Sequence, residues 1–204
     1  MTKKMLDEVY DLDGAEATRD FYDTWAKSYD SVVSENGYAT PARCAAALAE
    51  RIGDKSGPIL DIGCGTGISG TALKAVGFTT LDGCDFSAEM LAQAKDKNVY
   101  RDLFNTNLEE PCPFEPGTYA HLAAIGVLNP GHAPASTLDD VLMLLDSGGL
   151  FVFSLNDHAL EDKSYEARIN EHVDCGNARL LFREYGDHLP EINLKSQVYV
   201  LEKA

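Results

Sequence analysis

The sequence predicts an α/β fold in which helices cover both faces of a mainly parallel sheet. Strand-like apolar segments alternate with helical ones through the middle of the chain, over residues 58–64, 69–77, 80–86, 88–97, 121–128, 136–149 and 150–155. This alternation is typical of parallel strands joined by crossover helices. Near the C-terminus, two further strand-like segments are separated by only nine residues, DHLPEINLK. A crossover needs about a dozen residues or more, so these two strands should pair antiparallel, with the C-terminal one reversed.

Local signals indicate where these elements begin and end. The segment PILDIGC is rich in β-formers, and the helix that follows it should end with Gly77 just past its last turn. Ser87 should cap the next helix, with Glu89 near the positive end of the helix dipole. The helix within 136–149 has apolar residues at helical spacing and stops at a pair of glycines.

Two helices should precede the first strand. Phe21, Trp25 and Tyr29 are spaced at i, i+4 and i+8, so they line one side of a helix. In the second helix, Thr40 should be the N-cap, with Pro41 in the first turn and the end at Gly53.

Composition excludes several classes of protein. A chain of 204 residues with a net charge of −16, from 17 basic and 33 acidic residues, fits a single domain and disfavours a nucleic-acid partner. No apolar run has the length of a membrane span, and the first residues do not resemble a signal peptide, so a cytoplasmic location is expected. The five cysteines form no C-x-x-C pair, so no metal site is expected.

The stretch ILDIGCGTGISG, residues 59–70, has two possible interpretations. Gly65, Gly67 and Gly70 spell the G-x-G-x-x-G of a dinucleotide-binding turn, which would make the chain a nicotinamide-dependent oxidoreductase. The alternative is D-x-G-x-G-x-G, beginning at Asp61. A carboxylate is a poor neighbour for a pyrophosphate, whereas a cofactor carrying an ammonium and a sulfonium cation would tolerate it. The antiparallel tail also argues against the dinucleotide fold, which usually continues with parallel strands.

Four segments of the chain together resemble a known family. LDIGCGTG, GCDFSAEMLAQA, LFNTNLEEPCPF and LMLLDSGGLFVFS follow, in order and spacing, the motifs of class I S-adenosylmethionine-dependent methyltransferases. The segments FYDTWAKSYDSVVSENGYATP and GVLNPGHAP are similar to those of the Williams–Beuren region methyltransferase-like proteins and their bacterial relatives. The resemblance implies a Rossmann-like, doubly wound, mainly parallel seven-stranded sheet with an antiparallel C-terminal strand. It also implies an N-terminal helical lid over residues 1–53 on a core of 54–204.

The same resemblance implies a set of cofactor-binding residues. Those in the glycine turn would surround the methionine portion of S-adenosylmethionine, Asp85 would hold the ribose, and Phe86 and Met90 would flank the adenine. Asp61 would steady the turn or reach the ammonium through water, and Trp25 and Tyr29 would belong to the lid. Plain core packing is the alternative for Met90 and for the two lid aromatics. The full set is Trp25, Tyr29, Asp61, Gly63, Cys64, Gly65, Thr66, Gly67, Asp85, Phe86, Met90, Asn107, Leu108 and Ile125.

Two positions depart from the family pattern. Asn107 stands where an aspartate usually accepts the adenine amino group, and Ala120 replaces an acid that commonly opens the fourth strand. His132 is the best candidate for a general base, with a structural role as its alternative. The sequence therefore predicts a methyltransferase that converts S-adenosylmethionine to S-adenosylhomocysteine with a small-molecule acceptor. A non-catalytic cofactor-binding protein is the alternative, and the oxidoreductase is a remote one.

Overall fold

A computed structural model describes residues 15–106, 113–130 and 133–204. Seven strands form one sheet: β1 (Ile59–Ile62), β2 (Leu81–Asp85), β3 (Leu103–Asn105), β4 (His121–Ala124), β5 (Leu150–Asn156), β6 (Ala178–Leu189) and β7 (Leu194–Lys203). The α-helices are α1 (Ala15–Glu35), α2 (Thr40–Ala49), α3 (Ile68–Ala75), α4 (Ala88–Asp96), α5 (Thr137–Met143), α6 (Asp157–Glu161) and α7 (Lys163–Asp174). A 3₁₀ turn (Pro190–Ile192) precedes β7.

The order of strands across the sheet is β3-β2-β1-β4-β5-β7-β6. The first five are parallel, and β7 is antiparallel to both β5 and β6. The predicted fold class is confirmed, including the antiparallel pairing of the two last strands. The reversed strand lies one place inside the sheet, because β6 crosses to the outer edge and β7 returns between it and β5.

The alternation of side chains along β5 explains why the sheet is covered on both faces. All seven residues of β5 are buried. Phe151 and Phe153 pack into the apolar cluster that contains α5 and α7, whereas Val152 packs with Leu48 of α2 and Leu73 of α3 on the opposite face. A strand with apolar residues on both of its faces, such as Leu150 to Phe153 here, is what a doubly covered sheet requires.

The segment before β1 differs in detail from the prediction. Helix α2 begins at Thr40 and ends at Ala49, four residues before Gly53, and Thr40 is not the N-cap. Its hydroxyl is 2.8 Å from His188 Nδ1 and 2.8 Å from Ser196 Oγ, in a fully buried network. The Thr40 hydroxyl therefore does not cap its own helix and instead forms tertiary hydrogen bonds that connect α2 to β6 and β7.

Other local predictions are confirmed. Ser87 caps α4, since its hydroxyl accepts the Met90 amide at 3.1 Å. Gly77 follows α3 with a φ of 102°, the left-handed conformation expected after a helix C-cap. Within the described part of the chain, no helix combines the length and the apolar character that crossing a membrane requires.

Candidate active site

The carboxyl ends of three parallel strands meet at one edge of the sheet and enclose a cavity. The loops after β1, β2 and β4 supply its floor, and α1 and the start of α2 cover it. It encloses about 670 Å³ of empty space, including the part open to solvent. Open α/β sheets bind nucleotide-bearing ligands in this place, where strand order reverses from β1 to β4.

The backbone conformation of the turn after β1 requires glycine at three positions. Gly63, Gly65 and Gly67 have φ values of 65°, 53° and 87°, a region that side chains with a Cβ rarely adopt. A Cβ on Gly63 would lie 2.4 Å from a methyl group of Val127. Gly65 differs, since a Cβ there would meet nothing within 4 Å. Its bare backbone therefore faces open space at the cavity, where a ligand can approach it closely.

Asp61 is a fully buried carboxylate beneath this turn. One oxygen, Oδ2, accepts hydrogen bonds from Ser69 Oγ at 2.6 Å and from Tyr100 OH at 2.7 Å. The other, Oδ1, is buried and has no hydrogen-bond partner among the described residues. Burial raises the pKa of Asp61 to about 6, against the lowering effect of the two hydroxyls. A buried carboxylate oxygen without a donor is costly, so this atom favours a cationic ligand.

Asp85 ends β2 and lines the cavity. Its Oδ2 accepts the Gly65 amide at 2.8 Å, and its Oδ1 accepts the Ser87 amide at 2.9 Å. Burial raises the pKa of Asp85 to about 6, although these backbone hydrogen bonds lower it. Each oxygen of a carboxylate has a second lone pair, so Asp85 can also accept a pair of ligand hydroxyls.

Aromatic side chains of α1 form the cover of the cavity. Tyr22 and Tyr29 line it, and the Tyr22 ring meets the Phe86 ring edge-on at 6.0 Å. Trp25 does not line it. Trp25 is only 2% exposed and packs behind the tyrosines, 4.9 Å from the Tyr29 ring.

Two carboxylates of α1 attach this helix to the loops of the site. Asp23 Oδ1 accepts the Ser87 hydroxyl at 2.5 Å, beside Asp85. Asp30 accepts the Thr66 hydroxyl at 2.5 Å and forms an ion pair with Lys97 at 2.6 Å. Lys97 also donates to the Thr66 carbonyl at 2.6 Å. The cover is thus bonded to the glycine turn and to the loop after β2.

The structure gathers most of the predicted cofactor residues around the cavity. Those that line it are Tyr29, Gly63, Cys64, Gly65, Thr66, Asp85, Phe86, Met90 and Ile125. Trp25, Asp61 and Gly67 lie behind the lining. Asn107, Leu108 and His132 lie outside the described residues, so their roles stay predictions.

Seven lining residues were not predicted from the sequence: Tyr22, Tyr38, Pro41, Ile68, Ser69, Gly126 and Val127. Tyr22 lies on the same side of α1 as Trp25 and Tyr29, so the helical spacing of aromatic residues in the sequence could have indicated it. Tyr38 and Pro41 lie at the start of α2, which reaches the site because its apolar side packs against one face of the sheet. Ala120, where the family's usual acid is missing, precedes the amino end of β4, opposite the end from which Ile125 enters the cavity. Its replacement therefore leaves the cavity lining unchanged.

Comparisons with known proteins agree with this geometry. The methyltransferase domain family matches residues 37–196, so the chain belongs to that family. It is 35% identical over 133 residues to human methyltransferase-like protein 27, covering 64% of this chain and 54% of that protein. It is 41% identical over 66 residues to the bovine 18S rRNA (guanine-N(7))-methyltransferase, covering 32% of this chain and 23% of that protein. The chain thus spans about half, or less, of the length of these relatives.

A solved structure shows the same fold. The S-adenosylmethionine-dependent methyltransferase from Thiobacillus denitrificans, in complex with S-adenosyl-L-homocysteine, superposes with a TM-score of 0.57. The two chains are 11% identical, and the match covers 79% of this chain and 91% of the other. The cofactor of this class is S-adenosylmethionine, and the site found here fits it. The buried carboxylate of Asp61 beneath the turn balances the charge of its ammonium, Asp85 offers acceptors for its ribose hydroxyls, and the open space at Gly65 leaves room for its methionine portion.

Proposed function

We propose that this chain catalyses methyl transfer from S-adenosylmethionine to a small-molecule acceptor. The charge of the cavity lining is the observation that favours a small-molecule acceptor over a nucleic acid. Asp85 is the one charged side chain among the described residues that line it, and the rest are apolar, aromatic, hydroxyl, thiol or glycine residues. Lys97, beside the glycine turn, is already held by Asp30. A nucleic-acid acceptor needs cations for its phosphates, and the net charge of −16 opposes its approach.

A second cleft adjoins the cavity and gives the acceptor a place to enter. It is lined by Asp30, Val33, Ser34, Gly37, Tyr38 and Ile68, and it encloses about 780 Å³ of empty space, including the part open to solvent. Tyr38 and Ile68 belong to the walls of both spaces. An acceptor in this cleft would reach the cofactor cavity past the Tyr38 ring.

S-adenosylmethionine, when bound, would supply an electrophilic methyl group on a sulfonium, and its transfer to a lone pair of the acceptor would release S-adenosylhomocysteine. The protein's contribution is alignment and exclusion of water. Tyr22, Tyr29 and Phe86 line the cavity and would shield a bound cofactor from water, and Asp85 with the glycine turn would hold it in one orientation. A base is required only when the acceptor loses a proton. His132 is our candidate for that role.

A labelled-methyl assay tests this function. The protein, S-adenosylmethionine carrying a radioactive methyl group, and a metabolite extract are incubated, and the products are separated into small molecules, RNA and protein. We expect label in the small-molecule fraction. Label in added rRNA instead would overturn the choice of acceptor. Binding of S-adenosylhomocysteine without label in any fraction would favour the non-catalytic cofactor-binding alternative.

A pair of matched variants then tests the entry cleft. Ser34 is exposed and lines the cleft, whereas Ser31 is exposed on the same helix and is not part of its lining. Ser34→Trp should fill the cleft and lower methyl transfer at least tenfold, while the affinity for S-adenosylhomocysteine stays the same. Ser31→Trp should change neither. Equal activity of the two variants would place the acceptor elsewhere.

A further inference from the structure

Tyr100 packs against two glycines of the cofactor turn, a contact that the sequence pattern does not indicate. It lies between α4 and β3, and its side chain packs over the first turn of α3. A Cβ on Gly70 would lie 2.4 Å from the Tyr100 ring and hydroxyl, and a Cβ on Gly67 would lie 3.2 Å from the ring. Gly70, the third glycine of the apparent G-x-G-x-x-G, is therefore required by the packing of a tyrosine.

The hydroxyl of Tyr100 connects two parts of the cofactor turn. It accepts the Gly70 amide at 3.1 Å and donates to Asp61 Oδ2 at 2.7 Å. Ser69 Oγ donates to the same Asp61 oxygen. With both donors on Oδ2, the carboxylate cannot rotate without losing two hydrogen bonds. Its orientation is fixed, and Oδ1 is the oxygen that stays without a partner among the described residues.

From this geometry we infer that Tyr100 is a positioning residue for the cofactor. It holds Asp61 in place as the anion that balances the cofactor's ammonium, and it leaves Asp61 Oδ1 as the oxygen available to that cation or to a water bridging to it. Tyr100 does not line the cavity, so it acts through Asp61. This role concerns cofactor binding alone and is independent of the acceptor. A failed methyl-transfer assay would leave it standing.

The surroundings of Asp61 explain why a hydroxyl donor is needed there. The ionisable groups that interact with it are acids: Asp85, Cys44, Cys64, Cys84 and Tyr100. Among the described residues, the carboxylate is therefore stabilised by the hydroxyls of Ser69 and Tyr100 and by no neighbouring cation. Removal of either hydroxyl should raise the pKa of Asp61 beyond the value of about 6 that burial already gives it.

The pH dependence of cofactor affinity separates positioning from mere packing. Tyr100→Phe keeps the ring against Gly70 and removes the hydroxyl. The Kd for S-adenosylhomocysteine is measured by calorimetry between about pH 5.5 and pH 8.5 for both proteins. We expect the pH below which affinity falls to rise by about one unit in the variant, because it loses one hydrogen bond to a charged group. Affinity should be several-fold weaker near neutral pH and recover towards the wild-type value in alkali.

Tyr119→Phe is the matched control. Like Tyr100, Tyr119 donates its hydroxyl to a buried carboxylate, that of Asp82, at 2.9 Å, and it is not part of the cavity lining. Its substitution should leave the pH profile of binding unchanged. In an Asp61→Asn background, Tyr100→Phe should no longer shift the profile. A loss of affinity that is equal at every pH would make Tyr100 a structural residue only, and an unchanged profile would also overturn the inference.

A second measurement uses the wild-type protein, so it does not depend on whether the variants fold. In protein labelled with ¹³C at the Tyr ring and the Asp carboxyl carbons, the signals of Tyr100 and Asp61 should titrate together. Both should move when S-adenosylhomocysteine is added. If Tyr100 does not follow the titration of Asp61, or does not respond to S-adenosylhomocysteine, the inference is contradicted.

Discussion

The burial of Asp61 should make the protein less stable as pH rises from mildly acidic to neutral. Burial raises the pKa of Asp61 from 3.8 to about 6 on folding. A carboxyl group whose pKa is higher in the folded state stabilises the fold below its unfolded pKa, and this contribution is lost as pH rises through the folded pKa. Roughly two units at 1.36 kcal/mol each amount to roughly 3 kcal/mol, of which about 1.3 kcal/mol is lost between about pH 5 and pH 7.

Asp61→Asn removes this titration. Urea unfolding of the cofactor-free wild type and variant, at about pH 5 and pH 7, gives four free energies of unfolding. The decline with pH should be about 1.3 kcal/mol smaller in Asp61→Asn than in the wild type. Asp85, whose pKa burial also raises to about 6, titrates in both proteins, so most of its contribution to the decline cancels in the comparison. An equal decline in the two proteins would refute the reasoning.

Asp82→Asn is the control, because Asp82 is also a buried carboxylate but its pKa is lowered on folding, whereas that of Asp61 is raised. Asp82 accepts two hydrogen bonds from Arg101, at 3.0 and 2.6 Å, and one from Tyr119. These hydrogen bonds and the Arg101 charge outweigh the burial of Asp82 and lower its pKa. Its stabilising effect is already complete above about pH 4 and is lost only in stronger acid. Asp82→Asn should therefore lower stability about equally at pH 5 and pH 7.

Three further predictions concern the cofactor site. Asp85→Asn should weaken S-adenosylhomocysteine binding about 10- to 100-fold, because charge-assisted hydrogen bonds are worth about 1.5–3 kcal/mol each; unchanged affinity by calorimetry would place Asp85 outside the site. Lys97→Met should release α1 from the glycine turn and raise amide hydrogen exchange in the second half of that helix, whereas Lys95→Met, at an exposed neighbour, should not. Equal exchange in both variants would show that the Lys97–Asp30 pair does not hold the helix. Adding S-adenosylhomocysteine should shift or quench the emission of Trp25, the single tryptophan, because its ring contacts Tyr29. Unchanged emission together with unchanged exchange over residues 20–38 would make α1 a scaffold only.

Features with local causes were predictable from the sequence. The glycine turn, the Ser87 cap and the antiparallel pairing of β6 with β7 each depend on residues close together in the chain. Asp85 lies at the end of the segment 80–86 predicted as a strand, and ligands of open α/β sheets bind at the carboxyl ends of the strands, so its place at the cavity was predictable. These features required only periodicity, turn chemistry and the length of a connection.

Features with distant causes were not predictable. Threonine is a residue type that favours the N-cap position. The Thr40 hydroxyl instead forms hydrogen bonds with His188 and Ser196, which lie 148 and 156 residues away in the chain. Gly70 matches a nucleotide motif, yet its reason is the ring of Tyr100, 30 residues on. Trp25 and Tyr29 share one side of α1, yet Tyr29 lines the cavity and Trp25 lies behind it. Tertiary packing decides each of these cases.

A crystal structure with S-adenosylhomocysteine tests the central claim most directly. We expect the ligand in the cavity after β1, β2 and β4, with both ribose hydroxyls within hydrogen-bond distance of the Asp85 carboxylate. The ammonium should lie within reach of Asp61 Oδ1, directly or through one water. A ligand bound at another edge of the sheet, or a ribose that does not contact Asp85, would contradict the account.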